Sequence, residues 1–308
     1  MNSPLSHLYI ETEDNVPRIA IGAFDFDGNI LAPNTPYRVI EIATGKEVCI
    51  PAHELDNNAE LISGPVAQYQ WMKNMEDSLV HFRDYTRYSE PNHLMDDTMN
   101  AIKNGLFSPS FEAFKETFLV RARLFAIITA RGHSADNLER TIREISETVL
   151  SDEEKNTQYE SIKNLYQALY PHMPIPNRDQ ALQFYFQEIV SYYTVSNAHI
   201  KKYLSLKMDT PTPEKKVISM DHYMQDMRRR ILDSIGIDNS TPLAIGFSDD
   251  SVSNMRHMFQ SFVKKRKNGT LKNDTVHLYF TGKQWALSVA DEDCIHVSQN
   301  EKMTIIQV

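Results

Sequence analysis

The sequence predicts an α/β three-layer sandwich with a mainly parallel sheet and a large insertion over the sheet edge. Three observations predict it. Four short apolar runs are largely unbroken: IAIGAF at 19–24, LFAIIT at 124–129, PLAIGF at 242–247 and VHLYF at 276–280. Runs of this kind fit strands buried on both faces. Apolar residues at helical spacing follow the second and third runs. Polar residues end the first three: Asp25 and Asp27, then Thr129, then Asp249 and Asp250. Strand, polar loop, helix, next strand is the pattern of a parallel sheet with right-handed crossovers, whose ligands collect at the carboxyl ends of the strands.

The first run ends on DFDGN. Asp-Gly between apolar runs is a hairpin signal, because glycine accepts the positive φ of a tight turn. The other reading puts Asp25 and Asp27 at a strand end. Residues two apart on an extended chain point the same way. Two carboxylates facing one spot need a cation or a shared proton.

About a hundred residues separate Asp25 from Thr129, where a simple βαβ unit needs about thirty. Within that gap YRVIEIATGKEVCIPAHEL (37–55) reads as two strands around Thr44-Gly45-Lys46, and a more helical stretch runs from Gln68 to Lys115. Residues 31–121 are therefore expected to be an insertion, or cap. The core is expected to comprise 1–30, 122–145 and 205–308. After the second run, Leu138, Ile142, Ile145 and Val149 mark a helix with Ser134 as its cap. Residues 146–204, with NLYQALYP and ALQFYFQEIVSYYTV, read as mainly helical, a second insertion or an extension of the core, with tyrosines in the core. Further on, Thr212 is expected to cap a helix with Pro213 at its first position. Val217, Met220, Met224, Met227 and Ile231 are its buried stripe. At about 100° per residue, Lys216 lies at the edge of that stripe and Lys215 nearly opposite, facing water. After the third run, Val252, Met255, Phe259 and Phe262 recur in the same way. KKRK at 264–267 is expected to be the exposed, dipole-favoured end of that helix.

Composition narrows the function. The chain has 308 residues and a formal charge of −9, which argues against a nucleic-acid partner. Cys49 and Cys294 are the only cysteines; they could pair, but no disulfide framework is implied, which fits a reducing compartment. MNSPLSHLYIETEDNVPR lacks the basic-then-apolar pattern of a Sec-type signal peptide, and no run reaches the roughly 20 apolar residues of a membrane span. A cytoplasmic chain is expected, with export by another route still compatible. Oligomeric state is not legible.

Four pieces carry chemistry in a fixed order: DFDGN (25–29), IITARGH (127–133), TPEKK (212–216) and GFSDDSVSN (246–254). In these the sequence resembles the haloacid dehalogenase superfamily of phosphohydrolases. The resemblance covers about half the chain and implies a Rossmann-like core with a cap. It implies Mg²⁺-dependent hydrolysis of a phosphomonoester through an aspartyl-phosphate. Asp25 would be the nucleophile. Asp27 would protonate the leaving oxygen and then activate water. Thr129 would hydrogen-bond a phosphoryl oxygen, and Lys216 would neutralise charge. The metal would be held by Asp25, the Asp27 backbone carbonyl, Asp249 and Asp250, the last directly or through water. Physics supports the set: a carboxylate nucleophile and a phosphate ester are both anionic, and a divalent cation with a lysine removes their repulsion. Two alternatives stand beside this reading. One is a nucleotide, nucleic-acid-end or protein phosphatase of the same fold; the other is a non-catalytic domain that binds phosphorylated partners.

Three features depart from the family. Asn29 stands where Thr or Val is usual, Asn254 stands where many members have a later Asp, and the spacing on both sides of Thr129 is long. Arg131 is expected at the substrate's phosphate, whose geometry a guanidinium matches; the competing reading is a structural ion pair with a carboxylate. His133 reads as a loop or capping residue, and Arg83 as a solvated helix arginine.

Overall fold

The computed structural model describes residues 5–10, 16–84, 94–207, 209–237, 240–271 and 274–282, together with the strands at 295–299 and 302–306. Cys294, and with it any pairing to Cys49, lies outside the described residues. So does the 85–93 part of the stretch expected to be helical. The strands are β1 (Tyr9–Ile10), β2 (Arg18–Phe24), β3 (Pro36–Glu41), β4 (Glu47–Pro51), β5 (Tyr69–Trp71), β6 (Leu124–Thr129), β7 (Ser191–Thr194), β8 (Leu243–Asp249), β9 (Thr275–Phe280), β10 (Ile295–Gln299) and β11 (Lys302–Ile306). The helices are α1 (Ala52–Asn57), α2 (Met75–Ser78), α3 (Leu94–Lys103), α4 (Phe111–Phe114, continued by a π-helical turn Lys115–Val120), α5 (Ala135–Val149), α6 (Asp152–Leu169), α7 (Arg178–Phe184), α8 (Ala198–Tyr203), α9 (Thr212–Met227) and α10 (Val252–Lys267).

A mostly parallel sheet has helices on both faces. Its order is β11-β10-β9-β8-β2-β6-β7, with β1 antiparallel to the start of β2. Every neighbouring pair from β7 to β10 is parallel, and β11 returns antiparallel to β10. All seven residues of β2 are buried, as are all six of β6, because parallel neighbours flank each and helices cover the sheet. That is why these runs show no polar alternation. On one face α9 packs against α10 and β6, and α10 against β8 and β9. Elsewhere α5 packs on β7 and α6 on α7.

Gly22, in the middle of β2, admits another element. A Cβ there would lie 2.4 Å from the Phe118 ring. Phe118 meets Phe24 at 5.0 Å, and Phe114 meets Phe24 and Phe125 at 5.3 Å each, edge to face. Such ring pairs add about 0.5–1.5 kcal/mol each beyond the area they bury. Residues 111–120, taken from sequence as the tail of the insertion, thus pack directly on the central strands. The earlier part of the insertion forms its own antiparallel sheet, β4-β3-β5, with the expected β3–β4 hairpin closing at Gly45, φ +68°.

Two points differ from the sequence reading. Residues 146–204 are mainly helical, as expected, but β7 within them extends the sheet beside β6 in register from Ala126↔Ser191 to Thr129↔Thr194. Helical spacing carries on through the π turn Tyr185–Ile189, and then Val190 turns extended (φ −72°, ψ 141°) to start the strand. The tyrosine expectation holds at Tyr185, whose buried hydroxyl donates to the Arg123 carbonyl at 2.6 Å, with the Phe118 carbonyl 3.1 Å away. The second correction concerns α9. Pro211 occupies its N-cap, Thr212 begins the helix and makes no capping bond, and proline lies within the first turn. Ser134 caps α5 as expected, accepting from the Asn137 N–H.

The chain order creates a switch point. From β2 the chain moves to β6 and β7 on one side, then returns to β8 and β9 on the other. In open parallel sheets ligands collect at such a reversal, which here lies at the carboxyl ends of β2 and β8. Among the described residues no helix is long and apolar enough to cross a membrane.

Candidate functional site

Asp25 is the first residue past β2, and Asp249 is the last of β8. The register sets Phe24 against Ser248, and the Asp25 N–H continues the ladder to the Ser248 carbonyl at 2.9 Å. Both carboxylates therefore emerge at the switch point side by side. Lys216 reaches them from the start of the second turn of α9. Its Nζ lies 3.0 Å from Asp25 Oδ2 and 2.7 Å from Asp249 Oδ2, and the side chain is 1% exposed. Lys216 reaches inward, as the helical phase predicts. Lys215, predicted to face water, does not. It is buried, and burial, with the nearby charge of Lys201, lowers its pKa.

Asp250 completes the cluster. One carboxylate oxygen from each of Asp25, Asp249 and Asp250 can be chosen so that all lie within 4.8 Å of one another, the arrangement that could hold a metal ion. Gly28 makes room for it. Its φ is +71°, and a Cβ there would lie 2.3 Å from Asp250 Oδ2. Both the left-handed backbone and the space favour glycine.

The electrostatics call for a cation. Three carboxylates against one ammonium leave an excess of two negative charges when all are ionised. Burial raises the Asp25 pKa well above the ordinary carboxylate value; Lys216 opposes this, and Asp249 and Asp250 reinforce it. Burial and then Asp249 raise Asp250 to about 7. Burial works against the Lys216 charge, but Asp249 and Asp25 outweigh it and raise the lysine pKa. Asp25 Oδ1 is buried with no partner among the described residues. An orphaned oxygen on a carboxylate clustered with two others is costly in a buried site and suits a hard divalent cation. The residues therefore fit such an ion.

Asn254 is a site residue whose role the sequence left open. It does not replace a carboxylate ligand; its Nδ2 donates to both Asp249 oxygens at 3.0 Å. The Ser251 N–H adds a third donor to Asp249 Oδ1 at 2.8 Å. Asn29 is equally specific. Its Nδ2 donates to the carbonyls of Asp25 and Ser248, both at 3.1 Å. Its Oδ1 accepts from Ser110 (3.0 Å), Ser248 (2.8 Å) and Thr281 (2.9 Å). This fully bonded amide ties the end of β2 to the end of β8. Ser110, Ser248 and Thr281 carry no sequence signal for that role, since each is a hydroxyl in an unremarkable context.

Thr129 is buried at the end of β6. Asp27 is placed differently from Asp25. Its carboxylate is outside the metal-capable cluster and is held by Arg131, with Nε at 2.8 Å from Oδ2 and Nη2 at 2.6 Å from Oδ1. Arg131 is 1% exposed. Of its two expected roles, the ion pair is the one present; the remaining nitrogen, Nη1, is buried with no partner among the described residues. His133 is buried, and burial, then Arg131, lowers its pKa to about 2, so it is neutral. Arg83 is not solvated on a helix. It pairs with Glu76 at 3.0 Å, and its stem lies against Gly132. KKRK closes α10 as expected, with Lys265 reaching Asp221 at 2.6 Å.

No family model, curated protein or solved structure matches this chain.

Proposed function

We propose that the protein is a divalent-cation-dependent phosphomonoester hydrolase that works through an aspartyl-phosphate on Asp25, with Mg²⁺ as the ion. The observation that carries the reading is Lys216 bridging Asp25 and Asp249 beside Asp250 at a topological switch point. A buried lysine shared by two carboxylates is expensive unless the charges serve something. Phosphoryl transfer from one anion to another needs this arrangement.

Lys216 holds one Asp25 oxygen at 3.0 Å, and the carboxylate supplies the nucleophile. Its attack on phosphorus expels the leaving alkoxide and forms the acyl phosphate. Lys216 offsets the charge that builds between them. Thr129 donates to a phosphoryl oxygen. Asp27 supplies a proton to the leaving oxygen, then takes one from the water that cleaves the acyl phosphate. Asn254 and the Ser251 N–H keep Asp249 oriented. The ion, bound by Asp25, Asp249, Asp250 and the Asp27 carbonyl, would supply Lewis-acid stabilisation of phosphoryl charge.

The substrate class is tested with a panel of phosphorylated metabolites, nucleotides and phosphopeptides, each assayed with Mg²⁺ and with chelator. Release of phosphate only with the ion is the expected result. Release unaffected by excess chelator, or none from any member, counts against the proposal.

A further inference from the structure

We infer that Arg131 is a positioning residue that holds Asp27 as a proton acceptor only while the inserted segment is docked. The inference rests on the proposed reading of Asp27. Arg131 spends two donors on both oxygens of Asp27 and a third contact on Thr35 Oγ1 at 3.0 Å, which in turn donates to Asp97 Oδ2 at 2.8 Å. The guanidinium carbon lies 5.6 Å from the Phe26 ring and 5.0 Å from the Phe82 ring. Phe26 belongs to the nucleophile loop. Phe82 belongs to the insertion.

The insertion is pinned beside the same loop. The Gly132 N–H donates to the Phe82 carbonyl at 2.9 Å, Arg83 bridges Gly132, and the Asp84 carboxylate accepts from the Ser134 N–H and the Asn137 side chain at the start of α5. Phe82 thus covers a buried cation that would otherwise seek water. Losing that cover frees the guanidinium to turn, and Asp27 loses the two contacts that fix its plane. Asp27 keeps 34% of its side chain exposed, so it remains accessible while held.

The chemistry fits one half of the reaction. With each oxygen accepting an N–H from Arg131, the Asp27 carboxylate is held in one plane, and each oxygen keeps a lone pair that can take a proton. A carboxylate so oriented serves the step in which water attacks the phosphorus of the acyl phosphate. The water O–H bond breaks, its proton goes to Asp27, a new O–P bond forms, and Asp25 departs with its electron pair as a carboxylate. An aryl leaving group needs no proton, so with such a substrate the first step makes no demand on Asp27. Arg131 and Phe82 are therefore expected to matter most for the second step.

A small aryl phosphate tests this, because its leaving group needs no proton. In rapid-mix kinetics with Mg²⁺, Arg131→Lys, which cannot pair bidentately, is expected to keep the first-turnover burst. Its steady-state rate is expected to fall about tenfold or more, with phosphoenzyme accumulating. Phe82→Leu should act in the same direction and carries the test should Arg131→Lys fail to fold. In an Asp27→Asn background neither change should slow turnover further. Equal loss of burst and steady state, or effects that multiply with Asp27→Asn, would overturn the positioning role. Wild-type turnover by Asp27→Asn alone would instead remove the reading of Asp27 on which it rests.

Discussion

Stability of the metal-free protein should fall as pH rises, and a divalent ion should reverse that fall. Asp250 titrates near 7 in the folded chain against 3.8 as its ordinary value, raised by burial and by Asp249. A carboxyl whose folded pKa is raised is worth most to the fold while protonated, below its unfolded value. That contribution is lost as pH climbs through the folded pKa. A displacement from 3.8 to about 7, at about 1.4 kcal/mol per pH unit, sets the loss at about 4 kcal/mol between pH 4 and pH 8. Asp25 is raised by the same causes and acts in the same direction. An ion that binds the ionised carboxylates gains as they ionise, so its stabilisation grows with pH; at a hundredfold excess over its dissociation constant it supplies about 2.7 kcal/mol. Urea unfolding at about pH 4 and about pH 8, with chelator and with Mg²⁺, measures all of this, and Asp250→Asn should flatten the metal-free curve. Metal-free stability that is flat or rising over this window in wild type, or an equal metal increment at both pH values, would refute the electrostatic account of the cluster.

Asn254→Asp exchanges a donor 3.0 Å from both Asp249 oxygens for a fourth negative charge. The metal-free protein should lose about 1–3 kcal/mol in the same unfolding assay, with Mg²⁺ restoring part of it. Lys216→Met leaves Asp25 and Asp249 without their shared ammonium and should cost about 3–5 kcal/mol at neutral pH, less in acid, where the carboxylates protonate. Gly28→Ala meets both a φ of +71° and the Asp250 carboxylate, and should weaken Mg²⁺ binding in calorimetry about tenfold while leaving the fold intact.

The strands were legible where burial on both faces left nothing but apolar residues, as in 19–24 and 124–129. Lys216 was legible because helical phase is a local property, and a stripe of five apolar residues fixes it. The burial of Lys215 was not, since helical phase sets its direction and does not say what packs there. β7 was hidden because the helix before it and the strand share one tyrosine-rich apolar run, and only the backbone turn at Val190 divides them. The partner of Arg131 could not be chosen from sequence. The pairing joins residues 104 positions apart, and either a carboxylate or a phosphate satisfies a guanidinium. The role of Asn29 was likewise set by three hydroxyls gathered from distant segments, an arrangement that no local pattern encodes.

Hydrolysis of a small aryl phosphate by Asp25→Asn, measured with Mg²⁺ beside the wild-type protein, tests the central claim most directly. The substitution keeps the shape of the side chain and removes the attacking charge. The account predicts a folded variant whose turnover is lower by about a thousandfold or more. Turnover near the wild-type rate would show that the phosphoryl group never passes through Asp25, and would contradict it.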